Sequence, residues 1–478
     1  MKKRNLIVYA LAILMILALV ACATDTGNDA ADPTPDAQEA EEVAPEPEEE
    51  AQEPEEAPPA PEPVEVEEGE QVRVVIGFAS GYLDEARGGV ALAEGIFAQM
   101  HYDLPHIEPE IMVMLGADAA AGWGEYFLAI QAMIASGTAP DLFHAAIEGV
   151  QTLAQMELIS PIDHYLDANP GIRDALWDDV HPNLQNPFIL NGETYSVVND
   201  WNNIVVHINT AMLEDVGLEL PPYDWDLAMY LEYLSILTRE VDGVMQYGTS
   251  LPGFYFAYSN WLVNNDANFL SDCMTEVVFD SPESIEVMQL MYDLLHTWQY
   301  TFIPEAWDVS LLVEGRIAMV SAGRWPVATY VNSGFYDVAI RPVPKMRSQN
   351  VIFGSGGPVV SVTSDVKYEA AQVIVWMAGD PFVSEMYGVS NIPASISIAE
   401  RIVPIPGVPI NPEFFVTSAD IAVAVQSPPS YSDLESIFNR YFGAVIAGEI
   451  SPEEACMLAA EEMRDALRRN PTLLTIGR

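Results

Sequence analysis

The stretch Ala135-Ser136-Gly137-Thr138-Ala139-Pro140-Asp141-Leu142-Phe143 reads as a helix end, a turn and the start of a strand. Just upstream, Phe127, Ile130, Met133 and Ile134 recur at helical spacing on one face. Gly137 follows them, where glycine readily takes the left-handed backbone that ends a helix. Pro140 keeps the helix from resuming, and Leu142-Phe143 opens a short apolar strand. An amphipathic helix that hands over to a buried strand within a few residues is the repeating unit of an α/β fold.

The same pattern appears on both sides. Val72, Val74 and Ile76 form a first strand that feeds a glycine-containing loop at 77–81. Ser281-Pro282 and Ser451-Pro452-Glu453-Glu454 each place a capping serine before a proline at the first helical position. Apolar strands such as Val359 to Val362 alternate with helices such as Tyr368 to Met377. No internal repeat is visible. With 478 residues the chain exceeds one ordinary core and predicts two to three domains.

Acidic residues number 71 against 19 basic ones, a formal net charge of −52. That excludes nucleic-acid binding, which needs basic surface to displace counterions, and argues against attachment to anionic lipid by charge. Three cysteines exclude a disulfide scaffold. Cys273 and Cys456 read as buried thiols, with a bridge between them open but unsupported.

The N-terminus reads as an export signal. Lys2, Lys3 and Arg4 precede an uncharged apolar run from Leu6 to Ala21, shorter than a comfortable membrane span. The run ends Leu19-Val20-Ala21-Cys22-Ala23 and resembles a bacterial lipobox, so residues 1–21 are expected to be removed and Cys22 to carry the lipid. Two or more acyl chains anchor stably where one does not. Residues 22–70 then form a spacer rich in Asp, Glu and Pro, without Lys, Arg or aromatic residues. Such composition cannot bury a core and stays extended, reaching at most roughly 150 Å at about 3.1 Å per residue.

Catalytic signatures are missing from the sequence: no Gly-x-Ser-x-Gly elbow, Walker loop, His-Glu-x-x-His or Cys-x-x-Cys occurs. Gly354-Ser355-Gly356-Gly357 lacks a phosphate loop's lysine and reads as a turn before a buried strand. His101, Asp103, His106 and Glu108 lie close together, but Pro105 and Pro109 break any common face. No metal, cofactor or catalytic residue is assigned, although a glycosidase carboxylate pair stays open among so many acids.

Several blocks in order resemble the extracellular solute-binding proteins of ABC importers, nearest to the carbohydrate-binding group that includes the maltose-binding proteins. They are Ala135 to Phe143; Asn191-Gly192-Glu193-Thr194-Tyr195 followed by Asn209; Val216 to Trp225; Glu314-Gly315-Arg316-Ile317-Ala318-Met319 with Gly323-Arg324-Trp325; Val343-Pro344-Lys345; and Asn391-Ile392-Pro393-Ala394. His207-Ile208-Asn209-Thr210 departs from the family's usual Tyr and Lys there, and Asp224 from its usual Thr. The resemblance implies a two-lobed α/β fold with a hinge and a ligand cleft between the lobes. It assigns residues 71–200 and 346–398 to lobe 1, and 201–345 and 399–478 to lobe 2.

A sugar presents apolar C–H faces and a rim of hydroxyls, so its site needs aromatic faces and polar side chains. The resemblance and the local pattern nominate Tyr82, His144, Glu148, Asn199, Asp200, Trp201, Asn202, Tyr258 and Trp325 as ligand-binding residues. Trp225 and Asp141 read instead as structural. The expected protein is a lipid-anchored, monomeric binder on the outer face of the cell membrane, or on its periplasmic side. It would capture a carbohydrate and deliver it to the permease of an ABC importer, without turnover. Open alternatives are another small solute on the same fold, such as a polyamine, and a surface glycoside hydrolase.

Overall fold

The computed structural model describes residues 61–63, 70–79, 89–114, 123–303, 309–381, 383–384, 391–404 and 407–477. The expected signal, Cys22, almost all of the spacer and Tyr82 lie outside these residues. Pro59–Arg478 form one compact unit.

Two sheets organise that unit. The first contains β1 (Val72–Ala79), β2 (Ile107–Met114), β3 (Leu142–Ala146), β4 (Asp200–Asn203), β10 (Val351–Ser361), β11 (Ile392–Pro393) and β12 (Ala422–Ala424). Its order is β11-β4-β10-β3-β1-β2; β12 and the short strand Ile159–Ser160 also pair with β10. β1 is parallel to β2 and β3, whereas β10 runs antiparallel to β3 and β4. The second sheet joins β5 (Val205–Asn209), β6 (Arg239–Val241), β7 (Val244–Thr249), β8 (Ile317–Ala322) and β9 (Val338–Arg341) in the order β9-β5-β8-β7-β6.

This is the expected mixed α/β architecture of two lobes. The chain passes between the sheets at Ile204, between β4 and β5, and again between Arg341 and Val351. Two details differ from the expected division. Residues 201–203 still belong to the first sheet, and β12, within 399–478, pairs with β10 there.

The helices that matter for the site are α1 (Gly89–Asp103), α2 (Trp123–Ala135), α3 (Ile147–Gln155), α4 (Tyr255–Asn264), α5 (Pro282–Tyr292), α6 (Lys367–Gly379), α7 (Tyr431–Ile446) and α8 (Pro452–Arg469). α2 ends as its sequence dictates: Gly137 takes φ of 68°, and the amides of Gly137 and Thr138 return to Ile134 and Met133. Asp141 is structural, accepting from the Val75 amide at 2.8 Å and the Ser364 hydroxyl at 2.7 Å. Ser281 and Ser451 cap α5 and α8 through the amides of Ser284 and Glu454.

One apolar cluster, including Val74, Ile76, Ile96, Ile107, Ile374 and Met377, packs α1 and α6 against the first sheet. A larger one runs through both sheets and takes in α4, α5, α7 and α8. Trp225 belongs to it, 1% exposed, with its indole N–H donating to Pro342 O at 2.8 Å. The cysteines are both free, and Cys273 is exposed, contrary to its reading as buried. It sits in a polar turn, where Thr275 and Ser271 contact the thiol and lower its pKa.

Candidate functional site

The site grows from the alternation of side chains along β4. Asp200 and Asn202 point to one face, Trp201 and Asn203 to the other. On the second face Asn203 donates to Phe415 O and the Ser418 hydroxyl, and Trp201 lies edge-on to Phe353, 3% exposed. Trp201 is therefore a core residue and not a ligand platform. On the first face Asn202 and Asp200 pair in register with Gly354 and Gly356 of β10.

Those glycines leave room for neighbours. A Cβ on Gly356 would sit 2.4 Å from His144 Nε2 and 3.1 Å from Asp200 Oδ1. On Gly354 it would lie 3.3 Å from Glu148 Oε1 and 3.6 Å from the Phe256 ring. The glycine stretch, read from sequence as a turn, is thus the floor over which His144, Asp200, Asn202 and Glu148 converge. β3 brings His144, and the first turn of α3 brings Glu148.

A polar relay crosses this floor. Asn202 Nδ2 donates to Asn391 Oδ1 at 2.8 Å, and Asn391 Nδ2 donates to Asp200 Oδ2 at 2.8 Å. From the second sheet's side, the Arg324 amide donates to Asn202 Oδ1 at 2.9 Å and its guanidinium to Asn391 O at 3.1 Å. These bonds tie the segment after β8 to β4 and β11 of the other sheet. Arg324 is 2% exposed, and burial lowers its pKa to about 10.

Burial shapes the titrating groups. It raises Asp200, opposed by the nearby His144 and the Asn391 bond, and it lowers His144. Glu148 is pushed up to about 8, first by burial and then by Glu435; its own backbone amide opposes the shift. Its Oε2 has no hydrogen-bond partner among the described residues, and neither polar atom of the Asn199 side chain has one. An unpartnered buried oxygen or amide costs on the order of 1–3 kcal/mol.

Aromatic faces flank the polar floor. Trp123 stacks on His144 with ring centroids 5.9 Å apart, and the Tyr126 hydroxyl fixes β3 by donating to His144 O at 2.7 Å. From the other side, half-buried Trp325 meets Phe254 at 6.5 Å, edge to face. Tyr258, nominated from sequence, is a core residue: it is fully buried among Phe269, Phe279, Phe438 and Phe442. Its neighbours Phe254 and Phe256 are only partly buried, at the edge of that core.

The structure therefore brings His144, Glu148, Asp200 and Asn202 together, sets Trp325 beside Phe254, and leaves Asn199 buried behind β10. Sequence reasoning missed Trp123 and Glu435; it marked the aromatic-dense run Phe254 to Tyr258 as a stacking candidate but nominated only Tyr258 from it, and it quoted Asn391 only within a family block. A cavity of about 440 Å³ elsewhere, between Gly171–Val180 and α6, shares no lining residue with this constellation. Among the described residues no group of three or more His, Cys, Asp or Glu side chains could hold a metal ion, and no helix is long and apolar enough to cross a membrane.

Comparison with known proteins adds three findings. A family model described as bacterial extracellular solute-binding protein matches residues 117–429. The arabinooligosaccharide-binding protein of Halalkalibacterium halodurans is 21% identical over 60% of this chain, and the maltotriose-binding protein of Pyrococcus abyssi 22% identical over 45%. The matches span 66% and 44% of those relatives, under two thirds in both. Among solved structures, an ABC substrate-binding protein of Listeria monocytogenes in complex with cycloalternan superimposes with a TM-score of 0.73 at 20% identity, covering 84% of this chain and 100% of that one. A solute-binding protein of Thermotoga lettingae bound with α-D-tagatose gives 0.68 at 18% identity, with 84% and 100% covered. At these identities the likeness establishes a shared two-lobed fold.

Proposed function

Because the chain belongs to the bacterial extracellular solute-binding protein family, we propose that it captures a carbohydrate over the Gly354–Gly357 floor and hands it to an ABC importer. One observation carries this reading. Acceptors and donors from the first sheet and α3, namely Glu148, Asp200, Asn202 and His144, converge beside Trp123, and the second sheet's side adds Trp325 with Phe254, next to Arg324 whose amide donates to Asn202. Hydrogen-bonding groups set between aromatic faces suit a ring that is polar at its rim and apolar on its faces. The named ligands of the relatives and of the structural neighbours, which are oligosaccharides and a monosaccharide, support the same class.

Capture is followed by closure of the two lobes about the crossings, and the ligand leaves unchanged. Lipid at Cys22 and the acidic spacer hold the body at the membrane's outer face. A thermal-shift screen of the purified protein over maltotriose, arabino-oligosaccharides and tagatose tests capture, since a ligand that binds the native state raises apparent stability by mass action. A rise with one sugar and recovery of that sugar intact supports the reading; cleaved product in stoichiometric or greater amount makes the protein a hydrolase. Cys22→Ser is expected to move the protein out of the membrane fraction or leave the precursor uncut. An unchanged membrane-bound mature form would remove the lipid anchor.

A further inference from the structure

We propose that the cleft selects a carbohydrate bearing a protonated amine, with Glu148 and Glu435 as the two-carboxylate seat of the ammonium group. The inference rests on the carbohydrate reading and narrows it. Glu148 and Thr152 are four residues apart on α3 and share a face. That face meets the loop before α7, where the Thr152 hydroxyl donates to Pro429 O at 3.3 Å. On α7, Tyr431 and Glu435 are likewise one turn apart and share a face. The Tyr255 ring of α4 packs edge-on against Tyr431, centroids 5.3 Å apart. Three helices thus bring two acids and two tyrosines to one place beside Gly354.

This place is unfinished. Glu148 Oε2, the Tyr255 hydroxyl and the Ser430 hydroxyl are all more than nine-tenths buried and have no hydrogen-bond partner among the described residues. No arginine, lysine or histidine among them stabilises either carboxylate; Glu435 itself adds to the charge that Glu148 must bear. Arg324, the basic residue nearest in the account, is engaged at Asn391. Burial keeps Glu148 protonated beside half-buried Glu435, so the pair bears one carboxylate charge that no neighbouring basic side chain offsets. A ligand ammonium supplies the missing charge and three N–H donors, matching the unpartnered oxygens. Gly354 and Glu435 are partly open to solvent, and the Phe256 ring beside Gly354 offers a face to the cation.

A consequence follows for protons. Without ligand, burial holds Glu148 near 8 and Glu435 near 6, so at pH 7 Glu148 carries a proton. The titrating groups that face it are Glu435 and Tyr431 from α7, Tyr255 from α4, and, across the glycine floor of β10, His144 of β3 and Asp200 of β4. An ammonium ion lowers the carboxyl pKa values, so its binding releases a proton.

The test is calorimetry at pH 7 on matched pairs of neutral and 2-amino monosaccharides and disaccharides of glucose, galactose and mannose. Titrations run in two buffers of different ionisation heat, with spermidine and calcium as separate arms. The expected result is an amino sugar at least tenfold tighter than its neutral partner, with proton release. In Glu435→Gln that preference should shrink to about twofold. Equal affinity within every pair, or a preference unmoved by Glu435→Gln, overturns the ammonium seat while leaving carbohydrate capture intact. Binding of spermidine with no sugar bound overturns the carbohydrate reading and with it this inference. Calcium binding that is lost in Glu435→Gln makes the seat a metal site and overturns the proposal as well.

Discussion

The two ends of strand β10 obey different rules. At its C-terminal end Val359 and Val360 are fully buried, paired with β3, and pack against saturated neighbours. At Gly354–Gly357 the same strand carries almost no side chain, and the groups gathered over it include unpartnered polar atoms. A folded interior satisfies nearly all its buried polar groups. Unpartnered buried atoms also occur in the core, as at the Tyr258 hydroxyl and the Trp261 indole, so it is their convergence over bare glycines that marks this end. The back of the sheet is thus read as fold, and the glycine end as function, although both are one strand.

Substitutions can break that contrast. The largest effect is expected on the packed side. Trp225→Ala removes a fully buried indole and its bond to Pro342, and should cost about 3–5 kcal/mol of stability in denaturant unfolding, while the folded fraction still binds ligand normally. Loss of binding out of proportion to unfolding would dissolve the separation of core from site. Next comes Gly356→Ala, whose new methyl meets the His144 ring. Overpacking there should cost about 1–3 kcal/mol, and displacement of His144 should also weaken sugar binding. Normal affinity in that variant would place His144 outside the site.

A third prediction concerns pH. Glu148 holds its proton up to about 8 in the folded protein, against an ordinary 4.5. Over that window the folded state binds one more proton than the unfolded state, so stability falls as pH rises, by at most ~1.4 kcal/mol per pH unit, and is retained in full below 4.5. His207, pushed down by burial to about 4, acts in the opposite sense but only below its ordinary 6.5. Between pH 6.5 and 8 the ligand-free wild type should therefore lose stability more steeply than Glu148→Gln. Parallel curves would mean that Glu148 is ionised and partnered. The smallest effect is expected at the thiols. Cys273 should react at once with a thiol reagent and Cys456 only on unfolding, while Cys273→Ser shifts stability by no more than about 0.5 kcal/mol. Equal reactivity of the two would contradict the burial of α8.

Much of the fold was legible because its signals are local. The helix end at Gly137, the caps at Ser281 and Ser451, and the structural roles of Asp141 and Trp225 follow from residues near one another in sequence. At the site, alternation along 199–203 implied that Asp200 and Trp201 cannot face the same way, yet only the register with Gly354 and Gly356 tells which face is open. The aromatic run Phe254 to Tyr258 posed the same problem in a helix: Tyr255 and Tyr258 are buried, Phe256 lies on the opposite side of the helix from Tyr258, and Phe254 is the extended N-cap before the first turn. Trp123 and Glu435 gave no signal, and Asn391 only that of a family block, because they meet the floor only through folding across separations of up to hundreds of residues. Cys273 was misjudged because apolar cysteine is usually buried, and its polar turn is a tertiary outcome.

The most direct test of the account is Trp325→Ala, titrated by calorimetry with whichever sugar the screen identifies and melted without ligand. Trp325 is half-buried beside Phe254, so its removal should weaken binding about thirtyfold, near 2 kcal/mol, while the ligand-free melting temperature moves by only a few degrees. Unchanged affinity, or a free protein destabilised by about 3–5 kcal/mol as for a core tryptophan, would contradict the claim that this face of the cleft receives the sugar.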